Sequence, residues 1–423
     1  MSRPTVTLCM IVKDETHVIE QCLRSMAKYV DRYDITDTGS TDGTPELIKK
    51  VMDELDVPGK VYLSDWKGFG DHGNKIGSRT EAFHNAEDGG AEYAWVIDAD
   101  DYIEGNFTYP DVMDSDGYTL LIKRGDFSWW RNQIFKLELG WRYVGVLHEY
   151  ADATKKAPAI FGKIDGDYHI TARTEGARNV GITPVEKYQR DAELLESALE
   201  DEPENQRYQF YLGQSYFDSQ QWQKSKEAYA KRVTMGGWPE EVFYSQFRVG
   251  LICGILKEPF EVIVNELIEA YNIRPIRAEP LVEISRMYRM ADKPAAAYPF
   301  AKTAAETPFP KDDILFISDD VYKFGALDEL GAVAYYAGRP QEGYNAVNML
   351  LQENRVPEGH LDRVKANMEQ YTNVMQQITN PMAQVSQTES VMKKLDVLKD
   401  KQNKIDEIKK KKTYKKKKKV GSR

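Results

Sequence analysis

Through its first hundred residues the chain alternates short apolar runs with stretches of helical period. VTLCMIV (6–12), YDIT (33–36), KVYLS (60–64) and YAWVI (93–97) predict four strands. Between them, THVIEQCLRSMAKYV (16–30) has the spacing of an amphipathic helix. TPELIKKVMDEL (44–55) reads as a second helix, with Thr44 as its cap and Pro45 at its first position; GSRTEAFHNA (77–86) predicts a third. Alternation of this kind builds a mostly parallel sheet with helices on both faces, and such sheets bind ligands beyond the carboxyl ends of their strands. The polar exits KDE (13–15), DTGSTDGT (37–44) and DADD (98–101) should therefore share one sheet edge.

The pattern changes twice more. Residues 106–172 are rich in Trp, Tyr and Gly and predict shorter, mixed β-structure in GYTLLIKR, WWRNQIFKL, WRYVGVLHEY and AIFGKI. From about Pro184 the period becomes 3.6. FYLGQSYFDSQQWQKSKEAYAKRV (210–233) places Leu212, Gly213, Tyr216 and Tyr229 at the offsets of a tetratricopeptide helix pair, and FRVGLICG (247–254) restarts the pattern 37 residues later. VEISRMYRM (282–290) and ELGAVAYYAGRPQEGYNAV (329–347) echo it more weakly. Such pairs bury their apolar faces only by stacking, so 185–380 reads as one α-solenoid. The expected divisions are 1–183, 184–382 and a basic, largely disordered tail over 383–423.

Composition narrows the setting. With 41% hydrophobic and 29% charged residues the 423-residue chain is ordinarily globular. No apolar run approaches the roughly 18 residues of a membrane span, and VTLCMIV is too short for a secretory core. Cys9, Cys22 and Cys253 are too few and scattered for a disulfide framework or a zinc site, so a reducing, cytoplasmic setting is expected. The net charge of −10 is split: residues 393–423 carry 15 Lys+Arg against 4 Asp+Glu, which leaves 42 against 63, a net of −21, on the rest. An acidic body repels nucleic acid, and only the lysine tail suits nucleic acid or an anionic membrane. A plain solubilising tail is the other reading.

The chemistry gathers at the predicted sheet edge. Asp98 and Asp100 stand two apart at a strand end, where their carboxylates point the same way and suit one hard divalent cation, Mn²⁺ or Mg²⁺, shared with phosphate oxygens. A solvated acidic turn is the alternative. Asp37 is placed to accept hydrogen bonds from a base edge or ribose, in a Gly-Ser-Thr loop that lacks the phosphate-loop spacing.

LCMIVKDE, DTGSTDGT, SRTEAF and WVIDADD, in that order, resemble a family-2 glycosyltransferase of the GT-A fold, a Rossmann-like α/β architecture. GWRYVGVLHEY and the repeats resemble a subgroup that joins this domain to a tetratricopeptide-like solenoid. The resemblance spans roughly residues 5–260. It implies a nucleoside-diphosphate sugar donor, most simply a UDP-sugar, a divalent cation and inversion at the anomeric carbon. It assigns Asp98 and Asp100 to the DxD metal pair and Asp37 to the nucleoside. Val12, Asp14, Arg79, Asp98 and Ala99 complete the nucleotide-sugar site. Thr80 and Thr38 depart from the family's usual Asn and Asp.

His148 would complete the metal shell, and Glu149, or in second place Asp126, would take the acceptor's proton. The plainer reading makes VLHEY a strand end. Trp129, Trp130 and Trp141 are read as either sugar-stacking faces or domain core. The solenoid's concave surface suits a protein or peptide acceptor or self-association into a homo-oligomer. The rival reading is a tetratricopeptide adaptor whose transferase domain is inactive.

Overall fold

The computed structural model describes residues 3–125, 127–176, 181, 183–379, 392, 393, 395, 398 and 399; Asp126 and the lysine blocks lie outside them. The first compact unit runs to Gly237 and the second begins at Trp238.

In the first unit, four strands, β1 (Val6–Val12), β2 (Arg32–Asp37), β3 (Gly59–Leu63) and β4 (Tyr93–Val96), form a contiguous parallel block of a nine-stranded mixed sheet. Seven more follow: β5 (Tyr102–Gly105), β6 (Gly117–Arg124), β7 (Phe127–Lys136), β8 (Trp141–Val144), β9 (Tyr150–Ala153), β10 (Phe161–Lys163) and β11 (Tyr168–Thr171). The sheet order is β3-β2-β1-β4-β7-β6-β11-β5, with β10 also on β6, while β8 and β9 form a separate ribbon. Register aligns Val12 with Asp37 and Asp37 with Leu63, so the strand exits do share one edge.

Alternation along β1 explains the layers. Val6, Leu8, Met10 and Val12 enter one core with α1 (Ile19–Met26) and α2 (Thr44–Glu54), while Cys9 and Ile11 face a second core against α3 (Ser78–Gly89). Each fully buried aliphatic side chain there contributes about 1.5–3 kcal/mol. Trp141 belongs to this second core at 1% exposure, edge-on to Phe135, so the sugar-stacking alternative does not apply to it. Cys9 and Cys22 are buried thiols, and burial pushes both up, which favours the protonated form.

Three local expectations need correction. Helix 16–30 is shorter, because the Glu15 carbonyl accepts from the amides of Val18 and Ile19 in an entry turn, and Ala27–Tyr29 tightens to a 3₁₀ turn. Thr44 is the first helical residue rather than the cap: Gly43 takes the left-handed conformation (φ 91°), and Asp42 Oδ1 accepts from the Thr44 amide at 3.0 Å and hydroxyl at 2.6 Å. The 141–150 segment is not one strand. It breaks between β8 and β9, where Gly145 (φ 113°) and His148 (φ 52°) turn the chain and Leu147 enters a core with the following helices.

Asp42 also accepts from the Thr16 amide and hydroxyl. Burial opposes its ionisation, but these four hydrogen bonds win and hold the carboxyl at about 2. A depressed folded value means the stabilisation is present above the unfolded value and lost as pH falls from about 4 through 2. Asp42→Ala is expected to lower stability by about 1 kcal/mol at neutral pH and to flatten the acid limb of a urea-melt series. An unchanged midpoint at pH 7 would refute the capping role.

Helices then take over. The first unit adds α4 (Pro184–Asp201), α5 (Gln206–Asp218) and α6 (Trp222–Thr234). The second contains α7 (Pro239–Ile255), α8 (Phe260–Ile273), α9 (Glu279–Met290), α10 (Pro294–Glu306), α11 (Ala326–Val333), α12 (Pro340–Gln352) and α13 (Leu361–Thr379). Thr183 and Glu186 form a reciprocal capping box at the start of α4. Gly213 shows why the repeat signature needs a small residue: an added Cβ would stand 2.8 Å from the Tyr229 ring, where α5 meets α6. Gly213→Val should cost roughly 2 kcal/mol through overpacking; a thermal melt equal to wild type would contradict this packing account.

Candidate active site

The loop after β2 is built around two aspartates. Asp37 Oδ1 accepts from the amides of Gly39 and Ser40, both at 3.0 Å, while its Oδ2 is buried with no hydrogen-bond partner among the described residues. An orphaned buried carboxylate oxygen is costly unless a ligand supplies a donor. Asp14, itself at φ 55°, braces the same loop: its Oδ1 accepts from the Thr41 amide at 2.7 Å, and its own amide donates to Ser40 Oγ at 2.9 Å. The Val12 carbonyl is occupied by the Thr38 amide and hydroxyl, at 2.9 and 3.0 Å. That contact gives Thr38 a structural role that an aspartate would not fill.

At the β4 exit the acids diverge in role. Asp98 accepts from Arg79 Nη2 at 2.8 Å, and Arg131 stands 3.7 Å from its other oxygen. Burial would push Asp98 up, but these two guanidiniums hold it at about 2. Asp100 Oδ2 accepts from the backbone amides of Glu175 and Gly176, at 3.0 and 2.9 Å. Ala99 between them is buried in the core. Asp101 lies beneath, almost fully buried and accepting from the Arg173 amide; burial first, then the Asp98 charge, raises it to about 7.

Arg79 ties Asp98 to Glu149, whose Oε1 is 2.7 Å from Arg79 Nε. Burial disfavours the Arg79 charge, yet Asp98 and Glu149 together raise its pKa, so it stays cationic. Its guanidinium also lies over the rings of Phe69 and Tyr143, 5.8 and 5.6 Å from their centroids. Arg79, Asp98, Trp130, Arg131, Tyr143 and Glu149 line one cavity of about 380 Å³, a volume in the range of small-ligand sites.

The 145–149 turn that carries Glu149 is held by α5. Its His148 ring stacks on Tyr211 with centroids 4.0 Å apart, and the His148 carbonyl accepts from Arg207 Nη2 at 2.8 Å. His148 is not gathered with Asp98 and Asp100: among the described residues no three His, Cys, Asp or Glu side chains form a group able to hold a metal ion. Two carboxylates, each with one oxygen held by protein donors, do suit the kind of Mg²⁺ or Mn²⁺ site that draws its other ligands from phosphate and water. The donor set fits a shared metal–phosphate site rather than an all-protein cage.

Sequence reasoning missed Arg131, Gln133 and Tyr143. Trp130, 38% exposed, lines the cavity, with Lys163 Nζ 3.8 Å from its ring centroid; Trp129 is exposed to a similar degree. No local motif marks the missed residues: antiparallel pairing of β7 with β4 brings Arg131 and Gln133 to the site, and Tyr143 on β8 is held against α3, its amide donating to the Thr80 hydroxyl at 2.9 Å. The available signal was the polar triplet Arg131-Asn132-Gln133 set between apolar residues of a strand-like run.

The mostly parallel mixed sheet with its acidic carboxyl edge, followed by paired helices, defines an α/β domain joined to tetratricopeptide-like helical repeats. Residues 7–115 match the family model for glycosyl transferase family 2. A TPR repeat-containing protein of Synechococcus elongatus is 38% identical over 61 residues, a stretch that spans 14% of this chain and 14% of that relative. Among solved structures, MamA aligns over 40% of this chain and 90% of its own at 14% identity and a TM-score of 0.32. The TPR protein YrrB, whose structure is described as having an unusual peptide-binding site, aligns over 40% and 78% at 14% identity and a TM-score of 0.30. Among the described residues no helix is long and apolar enough to cross a membrane.

Proposed function

We propose that the chain is an inverting glycosyltransferase that moves a sugar from a nucleoside-diphosphate donor, most simply a UDP-sugar, to an acceptor nucleophile. The observation that carries this reading is the single cavity in which Asp98, Arg79 and Glu149 meet at the carboxyl edge of the sheet. Asp37 Oδ2 accepts a hydrogen bond from the nucleoside, which satisfies its buried oxygen. Asp98 and Asp100 are the residues that would hold Mn²⁺ or Mg²⁺, which supplies positive charge against the departing diphosphate.

Arg79 keeps a permanent positive charge on the cavity wall beside that diphosphate. Glu149 accepts the proton of the acceptor as it attacks the anomeric carbon, and the 145–149 turn fixes where that carboxylate stands. The helical repeats present the acceptor, a protein or peptide. The second unit offers a cavity of about 640 Å³ lined by residues including Tyr335, Tyr336, Asn367 and Asn373, which supports a binding role for the repeats.

Incubation of the purified chain with a panel of nucleotide sugars and Mn²⁺, followed by measurement of released nucleotide, tests the reading. Metal-dependent release from one donor is the expected result. No release from any donor, with or without a candidate acceptor, would support the rival reading of an inactive tetratricopeptide adaptor.

A further inference from the structure

The cavity contains a second arginine whose surroundings differ from those of Arg79. Arg79 is ion-paired at close range, hydrogen-bonded to Asp98 at 2.8 Å and 2.7 Å from a Glu149 oxygen, although its Nε–H makes no hydrogen bond among the described residues. Arg131 faces Asp98 and Asp101, each only at 3.7 Å, and its side chain is 41% exposed. Its close contact is neutral. With the Gln133 carboxamide oriented to satisfy both neighbours, its oxygen accepts from Arg131 Nε and Nη2, each at 2.6 Å, and its nitrogen donates to the Val96 carbonyl of β4.

Gln133 occupies a special position. Tyr118 pairs with Ile134 and Thr119 with Asn132, so Gln133 is the extra residue of a β-bulge in β7. A bulge re-aims side chains. Here it buries Gln133 to 1% exposure and spends its amide on orienting a partly exposed guanidinium. An arginine needed only for an ion pair would not require this support, since its acids stand beyond hydrogen-bond distance. A planar, permanently charged fork held at a cavity wall matches phosphate oxygens.

We propose that Arg131, positioned by Gln133, receives the donor's diphosphate, and that until a donor arrives it guards Asp98 and weakens cation binding there. This inference rests on the reading of the cavity as a nucleotide-sugar site. Removing the charge then has opposite effects on two ligands. A cation alone binds Asp98 more tightly without the competing guanidinium, whereas a diphosphate loses a charge-assisted contact.

Isothermal titration of the full chain with MnCl₂ alone, with UDP and with uridine tests it. Arg131→Ala should weaken UDP by about tenfold, leave uridine within about twofold, and tighten Mn²⁺ by about fivefold, the scale of one charge at this distance in a watery cavity. Arg131→Lys should keep wild-type Mn²⁺ affinity with an intermediate UDP loss. Gln133→Leu should weaken UDP by about threefold while Mn²⁺ stays unchanged, because the charge remains but its orientation is lost. Unchanged UDP affinity in Arg131→Ala, or a parallel loss of UDP, uridine and Mn²⁺ in all three variants, overturns the proposal. A wild-type chain that binds neither UDP nor Mn²⁺ overturns the donor-site reading itself, and this inference with it.

Discussion

Asp100→Asn is expected to lower metal-dependent nucleotide release by about 10²–10³-fold while leaving the melting temperature within about 2 °C. Asparagine is the informative choice because Asp100 has two jobs. One oxygen accepts from the amides of Glu175 and Gly176, and an amide oxygen can take over that role. The negative charge, by contrast, is what a hard cation beside a diphosphate requires, and asparagine lacks it. Asp100→Ala removes both functions and should also loosen the 175–176 segment, so its effect alone would not separate charge from structure. Release at the wild-type rate in a folded Asp100→Asn variant would show that the second acid takes no part in holding the leaving group.

Glu149→Gln should reduce kcat by about 10²–10⁴-fold with little change in the donor's KM, since a general base acts in the transition state rather than in donor binding. The substitution is nearly isosteric and keeps Leu147 and the His148–Tyr211 stack in place. It does remove one of the two close carboxylates of Arg79, while Asp98 remains at 2.8 Å. A rise in donor KM at constant kcat would instead assign Glu149 to orienting Arg79. Asp126, the other candidate, lies outside the described residues, and Asp126→Asn in the same assay should retain activity close to wild type.

The parallel half of the sheet was legible because β1 to β4 are short apolar runs with polar exits, and periodicity reports burial directly. Asp37 and the 98–101 acids were found for the same reason: they end those strands. The tetratricopeptide spacing was legible through Gly213 and Tyr229, a small residue and the ring that packs on it. What stayed hidden depends on long-range pairing. Arg131 reaches Asp98, and Gln133 reaches Arg131, through the antiparallel alignment of β7 with β4 and a one-residue bulge; the polar triplet is visible in the sequence, but its partners are not. The break at 145–149 was missed because VGVLHEY has strand-like composition, yet Leu147 is drawn into the core of α4 and α5. That tertiary contact overrides local propensity and lifts Glu149 into the cavity.

The most direct test of the central claim is a crystal structure of the chain grown with MnCl₂ and UDP, with data collected at the manganese absorption edge. The account predicts an anomalous peak bonded by carboxylate oxygens of Asp98 and Asp100 and by diphosphate oxygens, with the nucleoside donating to Asp37 Oδ2. Nucleotide bound outside this cavity, or manganese held without either carboxylate, would contradict it.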